Sequence, residues 1–259
     1  MTQITVKRLW KEYDSQVVLE NVNLHVGDHE FVTIIGASGC GKTTFLRMLL
    51  GVETPSRGEF LIDGVPLPTE PGPDRGIVFQ RYSLFPHMTV LQNLLLGPDL
   101  QGARVLARLF GARRRAAVAR AEELLEAVGL GASRGKYPAQ LSGGMQQRLS
   151  IAQSVICQPK ILLLDEPFGA LDPGVTADMH ELILKLWNLN KMTVVMVTHD
   201  VQESFHLGTR LLVFDKVRID NQAPDRYGAT ITYDIPLKGR RREALPAVST
   251  GGKRSSGGS

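Results

Sequence analysis

Five short apolar runs constrain this chain more than any other feature: "FVTII" before Gly36, "GIVFQ" to Gln80, "ILLLD" to Asp165, "VVMVT" before His199 and "LLVFD" to Asp215. None alternates apolar with polar, so each reads as a strand buried on both faces. Helical spacing lies between them, as in Phe45, Leu46, Leu49 and Leu50, or Met145, Leu149, Ala152 and Ile156. Strands alternating with helices predict a parallel α/β sheet, whose ligand edge lies at the carboxyl ends of the strands. Gly36, Gln80, Asp165 and His199 all fall at that edge, from distant parts of the chain. The N-terminal "ITVKRLWKEY" and "VVLENVNLHV" alternate better and predict an antiparallel side sheet. Residues 81–160 are mostly helical in pattern and have the size of an inserted subdomain. Residues 238–259, ending "STGGKRSSGGS", hold too little apolar surface to fold and are expected to be disordered.

Composition narrows the partners. A chain of 259 residues, 43% hydrophobic and 22% charged, can bury a core as one or two compact units. No run approaches the ~18 apolar residues of a spanning helix, and the start lacks a signal-peptide core, so any link to a membrane is expected to run through a partner. Two cysteines, Cys40 and Cys157, suit a reducing compartment without a disulfide framework. The net charge of +4 is local. It sits in Arg104, Arg108, Arg113, Arg114, Arg115 and Arg120 and in "KGRRRE", which read as solvated faces rather than a nucleic-acid stripe.

The chemistry begins at "GASGCGKT", which matches G-x-x-x-x-G-K-[ST] with an apolar strand before it and a helical pattern after it. Gly36, Gly39 and Gly41 let the backbone curl so that N–H groups and a helix N-terminus face phosphate oxygens. Lys42 reaches the β and γ phosphates, and Thr43 ligates Mg²⁺. The expected ATP cradle comprises Gly36, Ser38, Gly39, Cys40, Gly41, Lys42, Thr43 and Thr44, the Cys40 side chain having no evident task. "ILLLDEP" delivers Asp165 and Glu166 at a strand mouth. Adjacent side chains of an extended segment point apart, so Asp165 is assigned to Mg²⁺ and Glu166 to an attacking water as general base. The plainer reading is a strand end with solvated acids. Gln80 could complete the Mg²⁺ shell or position water, and His199 could donate to a γ-phosphate, although a packed or capping histidine is the commoner case.

Taken in order, "GASGCGKTT", Gln80, "LSGGMQQR", "ILLLDEP", "GALD" and His199 resemble the nucleotide-binding subunits of ABC transporters over residues 1–237. The specific part is "LSGG" followed by "QQR". The resemblance implies a P-loop ATPase of ABC type: a mainly parallel α/β core, an antiparallel β subdomain and an inserted helical subdomain. It further implies a head-to-tail homodimer in which the signature loop of one chain closes over ATP held by the other. Physically, Ser142 sits where an N-cap belongs, and Gly143 and Gly144 expose N–H groups at a helix start, which makes an anion site. In the resemblance Asp172 lies near the dimer seam and Tyr13 stacks on adenine, although a plain sheet aromatic would also fit. Serine is frequent in the family where this chain has Gly169.

Within that family the chain is most similar to ATPases of nitrate, sulfonate and taurine importers, with a weaker similarity to relatives associated with urea or guanidine. The implied partners are a second ATPase subunit, transmembrane permease subunits and, indirectly, an extracytoplasmic solute-binding protein, with no nucleic acid; the implied location is the cytoplasmic face of the membrane. Tyr82, Leu84, Phe85 and Met88 are the expected permease contacts, the alternative being that they fill the helical subdomain's own core. Two other classes compete: a soluble ABC-type ATPase acting on nucleic acid or ribosomes, which would explain the basic excess, and a P-loop kinase, which leaves "LSGGMQQR" idle.

Overall fold

The computed structural model describes residues 2–80, 83–102, 109–169, 171–220, 222–223 and 225–237. The tail 238–259, Tyr82, Arg104 and Arg108 lie outside the described residues. In chain order the elements are β1 (Ile4–Tyr13), β2 (Gln16–Val26), β3 (Phe31–Gly36), α1 (Lys42–Leu50), β4 (Arg57–Ile62), β5 (Val65–Pro66), β6 (Arg75–Val78), α2 (Val90–Gly102), α3 (Gly111–Ala127), α4 (Gly143–Val155), β7 (Ile161–Asp165), α5 (Pro173–Asn190), β8 (Thr193–Val197), α6 (Val201–Leu207), β9 (Arg210–Asp215) and β10 (Thr230–Pro236).

The five apolar runs form one sheet in the order β9-β3-β8-β7-β6, all parallel, with β10 added antiparallel to β9 at the edge. Successive side chains of its inner strands enter opposite cores, which is why no run alternates in hydropathy. Leu162, Leu164, Val194 and Met196 pack toward α4 and α5. Ile161, Leu163, Val195 and Val197 pack toward α1 and the second sheet. Each side chain of this kind, fully withdrawn from water, contributes about 1.5–3 kcal/mol before entropy is counted. The N-terminal strands, which do alternate, make the antiparallel sheet β2-β1-β4-β5. One of its faces closes the second core through Ile4, Val6, Leu24 and Val26.

Two boundaries differ from the sequence expectation. The strand expected to run to Gln80 stops at Val78, the last residue paired with β7; Phe79 leaves the sheet and turns its ring outward into a groove. The described residues 83–89 are not helical. They form an irregular turn pinned by Asn93, whose amide, fully buried, accepts from Phe85 N at 2.8 Å and donates to the carbonyls of Phe85 and Met88 at 3.1 and 3.0 Å. Helix begins only at Val90. Of the described arginines in the basic stretch, Arg113 and Arg115 are exposed and Arg114 pairs with Asp99 at 3.4 Å.

Candidate nucleotide site

The glycine loop between β3 and α1 is shaped by close approach as much as by curling. Gly36 remains in β3, and a Cβ there would lie 2.2 Å from the carbonyl oxygen of Phe214 on β9. Its freedom therefore serves strand packing, which corrects the expectation that it helps curl the loop. Gly39 and Gly41 have φ of 78° and 92°, the left-handed region in which a side chain is strained. At Gly41 a Cβ would also crowd Leu19 and Val18, each at 2.8 Å. Lys42, buried at the first position of α1, folds back so that Nζ donates to the Gly36 and Ala37 carbonyls at 2.8 and 2.9 Å. Those carbonyls hold its ammonium at the mouth of a loop rich in N–H donors. Cys40 is buried, and burial pushes its thiol up, opposed by the neighbouring Lys42 charge. Its side chain belongs to the α1 core.

Opposite the loop, Asp165 ends β7 and accepts a hydrogen bond from Thr43 Oγ1 at 3.0 Å. Burial pushes the Asp165 carboxyl above its ordinary value; the Thr43 hydroxyl opposes this and the Glu166 charge adds to it. A hydroxyl and a partly desolvated carboxylate meeting at this distance suit a hard cation such as Mg²⁺, which favours oxygen donors. Among the described residues no group of three or more His, Cys, Asp or Glu could hold a metal alone. That is compatible with Mg²⁺, which is usually held by one or two carboxylates together with substrate phosphates.

Glu166 takes different partners from Asp165, on a backbone that differs from the extended one expected. Its φ is 46°, left-handed, so the chain turns at Glu166 and does not continue the strand. Glu166 N donates to Val197 O at 2.9 Å, which ties the turn to β8. Left-handed backbone at a non-glycine residue costs about 1–2 kcal/mol and survives where its surroundings enforce it. The result is a cluster: Gln80 Nε2 donates to Glu166 Oε2 at 3.4 Å, and His199 Nδ1 lies 3.6 Å from the same oxygen. Gly169 sits beside them; a Cβ there would meet His199 and Gln80 at 3.6 and 3.8 Å, an ordinary contact.

The signature segment is simpler. Ser142 caps α4, its Oγ accepting from Met145 N at 3.3 Å, and Ser142 and Gly143 are exposed. Gly144 makes a close contact possible: a Cβ there would stand 2.7 Å from Val175 on α5. Asp172 occupies the N-cap position of α5 without capping it through its side chain. Tyr13, at the end of β1, is 41% exposed, its hydroxyl on Glu53 and the Lys11 ammonium 4.6 Å from its ring centre. One ring face is thus taken by a cation.

Two contacts had no signal in the motif reading. Gln147, fully buried on α4, donates to the Pro167 carbonyl at 2.5 Å and so joins the signature helix to the segment after Glu166. Thr198 and Glu203 flank His199 through a buried hydrogen bond of 2.6 Å. The inward position of Gln147 among Leu149, Ile151 and Ala152 was the available clue to the first.

With this geometry in place, the comparisons are consistent. Residues 19–169 match the family model described as ABC transporter. The chain is 46% identical over 222 residues to a nitrate import ATP-binding protein of Synechocystis sp., covering 86% of this chain and 77% of that one. It is 42% identical over 229 residues to a bicarbonate transport ATP-binding protein of Synechococcus elongatus, covering 88% of this chain but 33% of that protein. The solved dimeric structure of a post-hydrolysis ATP-binding cassette bound to ADP and Pi aligns with a TM-score of 0.72 at 31% identity, over 92% of this chain and all of that one. No helix among the described residues is long and apolar enough to cross a membrane. The chain belongs to the ABC transporter family as an ATP-binding subunit that hydrolyses ATP, similar to those of the nitrate import class.

Proposed function

We propose that the chain powers import of a small solute such as nitrate, sulfonate or taurine, as a head-to-tail homodimer beneath a permease at the cytoplasmic face of the membrane. The observation that carries the catalytic part is the convergence of Gln80 and His199 on one Glu166 oxygen, at 3.4 and 3.6 Å, beside the Thr43–Asp165 pair. Glu166 Oε2 takes the proton of the attacking water, Gln80 orients that water, and His199 donates to the γ-phosphate as charge gathers there. Lys42 reaches the β and γ phosphates, the backbone from Ser38 to Thr44 cradles them, and Tyr13 offers adenine its free face. Thr43, Asp165 and Gln80 would hold Mg²⁺, which when bound neutralises phosphate charge.

Support for the dimer comes from Ser142 and Gly143, exposed at the start of α4 where unbonded N–H groups favour an anion; Asp172 would sit at the seam. Support for a permease comes from a groove of about 890 Å³ lined by Phe79, Ser83, Phe85 and Leu100. Phe85 is exposed there, whereas Leu84 packs on the core, so the expected contact set divides between the two. The solute follows from the likeness to the nitrate import protein, and bicarbonate enters the trial through the second relative.

The test reconstitutes the chain with its permease and solute-binding protein in vesicles and measures ATP-driven uptake of labelled nitrate, taurine and bicarbonate. Uptake of one of them, abolished by Glu166→Gln, is expected. ATP-dependent turnover with no uptake of any small anion would overturn the solute assignment.

A further inference from the structure

Behind His199 lies a buried polar group that takes no direct part in the proposed hydrolysis. Asp200 caps α6 by accepting from Gln202 N at 2.7 Å and Glu203 N at 3.4 Å. Glu203 then occupies the third helical position, where a glutamate ordinarily reaches back to the N-cap N–H. Here that N–H is already bound, because Asp200 N donates to Thr198 Oγ1 at 3.0 Å. The Thr198 hydroxyl in turn donates to Glu203 Oε2 at 2.6 Å, a short bond with both residues buried. Thr198 N is fixed in turn on the Ile34 carbonyl of β3 at 3.1 Å. Both neighbours of His199 are therefore anchored, and the carboxylate of Glu203 closes the chain of bonds.

The other Glu203 oxygen faces α5, where His180 Nε2 stands 3.8 Å away, buried and without a hydrogen-bond partner. The His180 ring packs edge-on against Phe168, two residues beyond Glu166. Glu203 thus directs its carboxylate from the helix that follows His199 toward the helix whose His180 packs on Phe168. A buried carboxylate is costly to keep, and an apolar residue would fill the same space more cheaply. Its presence in this geometry calls for a use.

We propose that Glu203 is a positioning residue for ATP hydrolysis, holding His199 against Glu166 through the Thr198 hydroxyl. This rests on the role proposed above for His199, and the experiment separates the two. Steady-state ATPase kinetics of the full chain are compared for the parent, Thr198→Val, Thr198→Ser, Glu203→Ala and Glu203→Gln, each alone and on a His199→Ala background. Loss of one hydrogen bond to a charged group is expected to lower kcat roughly 10-fold in Thr198→Val and Glu203→Ala, with KM within about twofold. Thr198→Ser and Glu203→Gln, which keep a donor and an acceptor, should restore most of it. On the His199→Ala background Thr198→Val should cost nothing more, because nothing remains to be positioned.

A further roughly 10-fold loss on that background would mark the bond as merely structural and overturn the proposal, as would parental kcat in both Thr198→Val and Glu203→Ala. If His199→Ala itself turned over at the parental rate, the role of His199 would fall, and with it any positioning through Glu203. Should Thr198→Val fail to fold, Glu203→Ala is read on the same two backgrounds and decides the matter by the same criteria.

Discussion

The glycine loop after β3 and the signature segment before α4 are both helix starts rich in N–H groups, yet they are built to different degrees of completeness. In the first, Lys42 is satisfied by two carbonyls of its own loop, Thr43 by Asp165, and Gly36 and Gly41 are fixed by what a side chain would strike. In the second, Ser142 uses its hydroxyl on its own helix, and the N–H of exposed Gly143 meets no acceptor from a neighbouring element among the described residues. In the proposed reading the first region binds phosphate alone. The second presents donors whose favourable energy, in that reading, is realised only when an anion is brought to them.

The largest effect should come from breaking the complete half. Glu166→Gln keeps the shape and removes a base, so ATPase turnover should fall roughly 10²- to 10⁴-fold while Mg-ATP still binds. Turnover near the parental rate would move the base elsewhere, with His199 the next candidate. The incomplete half is broken by Ser142→Arg, which should leave folding and initial ATP binding intact. It should weaken ATP-induced dimers on the order of 10²-fold, since several charge-assisted hydrogen bonds are lost together. Sedimentation with ATP on the Glu166→Gln background measures this. A sharper form mixes Ser142→Arg with Lys42→Ala subunits: one composite site survives, pairing Lys42 of the first with Ser142 of the second. An intersubunit crosslink between cysteines placed at Ser38 and Ser142 is expected only if the chains meet head to tail.

The same contrast explains what was legible in the sequence. The parallel sheet announced itself because strands buried on both faces must be apolar throughout, and the loop because its chemistry admits few residue types. Glu166 was found, but its left-handed backbone was not, since nothing in "DEP" distinguishes an enforced turn from a strand end. The end of β6 was overrun because Phe79 is apolar for the sake of a groove and not of the sheet. Nothing in the sequence distinguishes Glu203 from an ordinary residue of a helix start; only the capture of the Asp200 N–H by Thr198 frees it for another use. Local pattern reveals which groups are present, whereas their partners depend on elements far apart in the chain.

Tyr13 sharpens the comparison at intermediate size, because in the proposed reading it extends the complete half toward adenine. Tyr13→Ala should weaken ATP binding by on the order of 1 kcal/mol, roughly fivefold in Kd, and Tyr13→Trp should retain most of the affinity. Nucleotide titration by fluorescence reads both. Unchanged affinity in the alanine variant with an intact fold would leave Tyr13 a sheet residue held by Lys11 and Glu53.

The smallest expected effect concerns what the complete half gives up to be complete. Burial raises the Asp165 carboxyl above its ordinary value, so the folded chain holds that proton to higher pH than the unfolded chain does. Between the ordinary and the raised value the folded state binds more protons, and stability therefore falls as pH rises through that window. Above it the penalty is constant; below the ordinary value it is absent. Asp165→Asn keeps an acceptor for the Thr43 hydroxyl and carries no charge. Without nucleotide it should melt slightly higher than the parent at pH 7, with the advantage vanishing in acid. With Mg-ATP the order should reverse, because the parent gains the cation-linked binding energy that the variant loses. Melting curves across pH, with and without Mg-ATP, test both signs. A variant less stable than the parent at pH 7 without nucleotide would show that the Thr43–Asp165 pair stabilises the fold, and that this carboxylate is not held at a cost for the sake of a ligand.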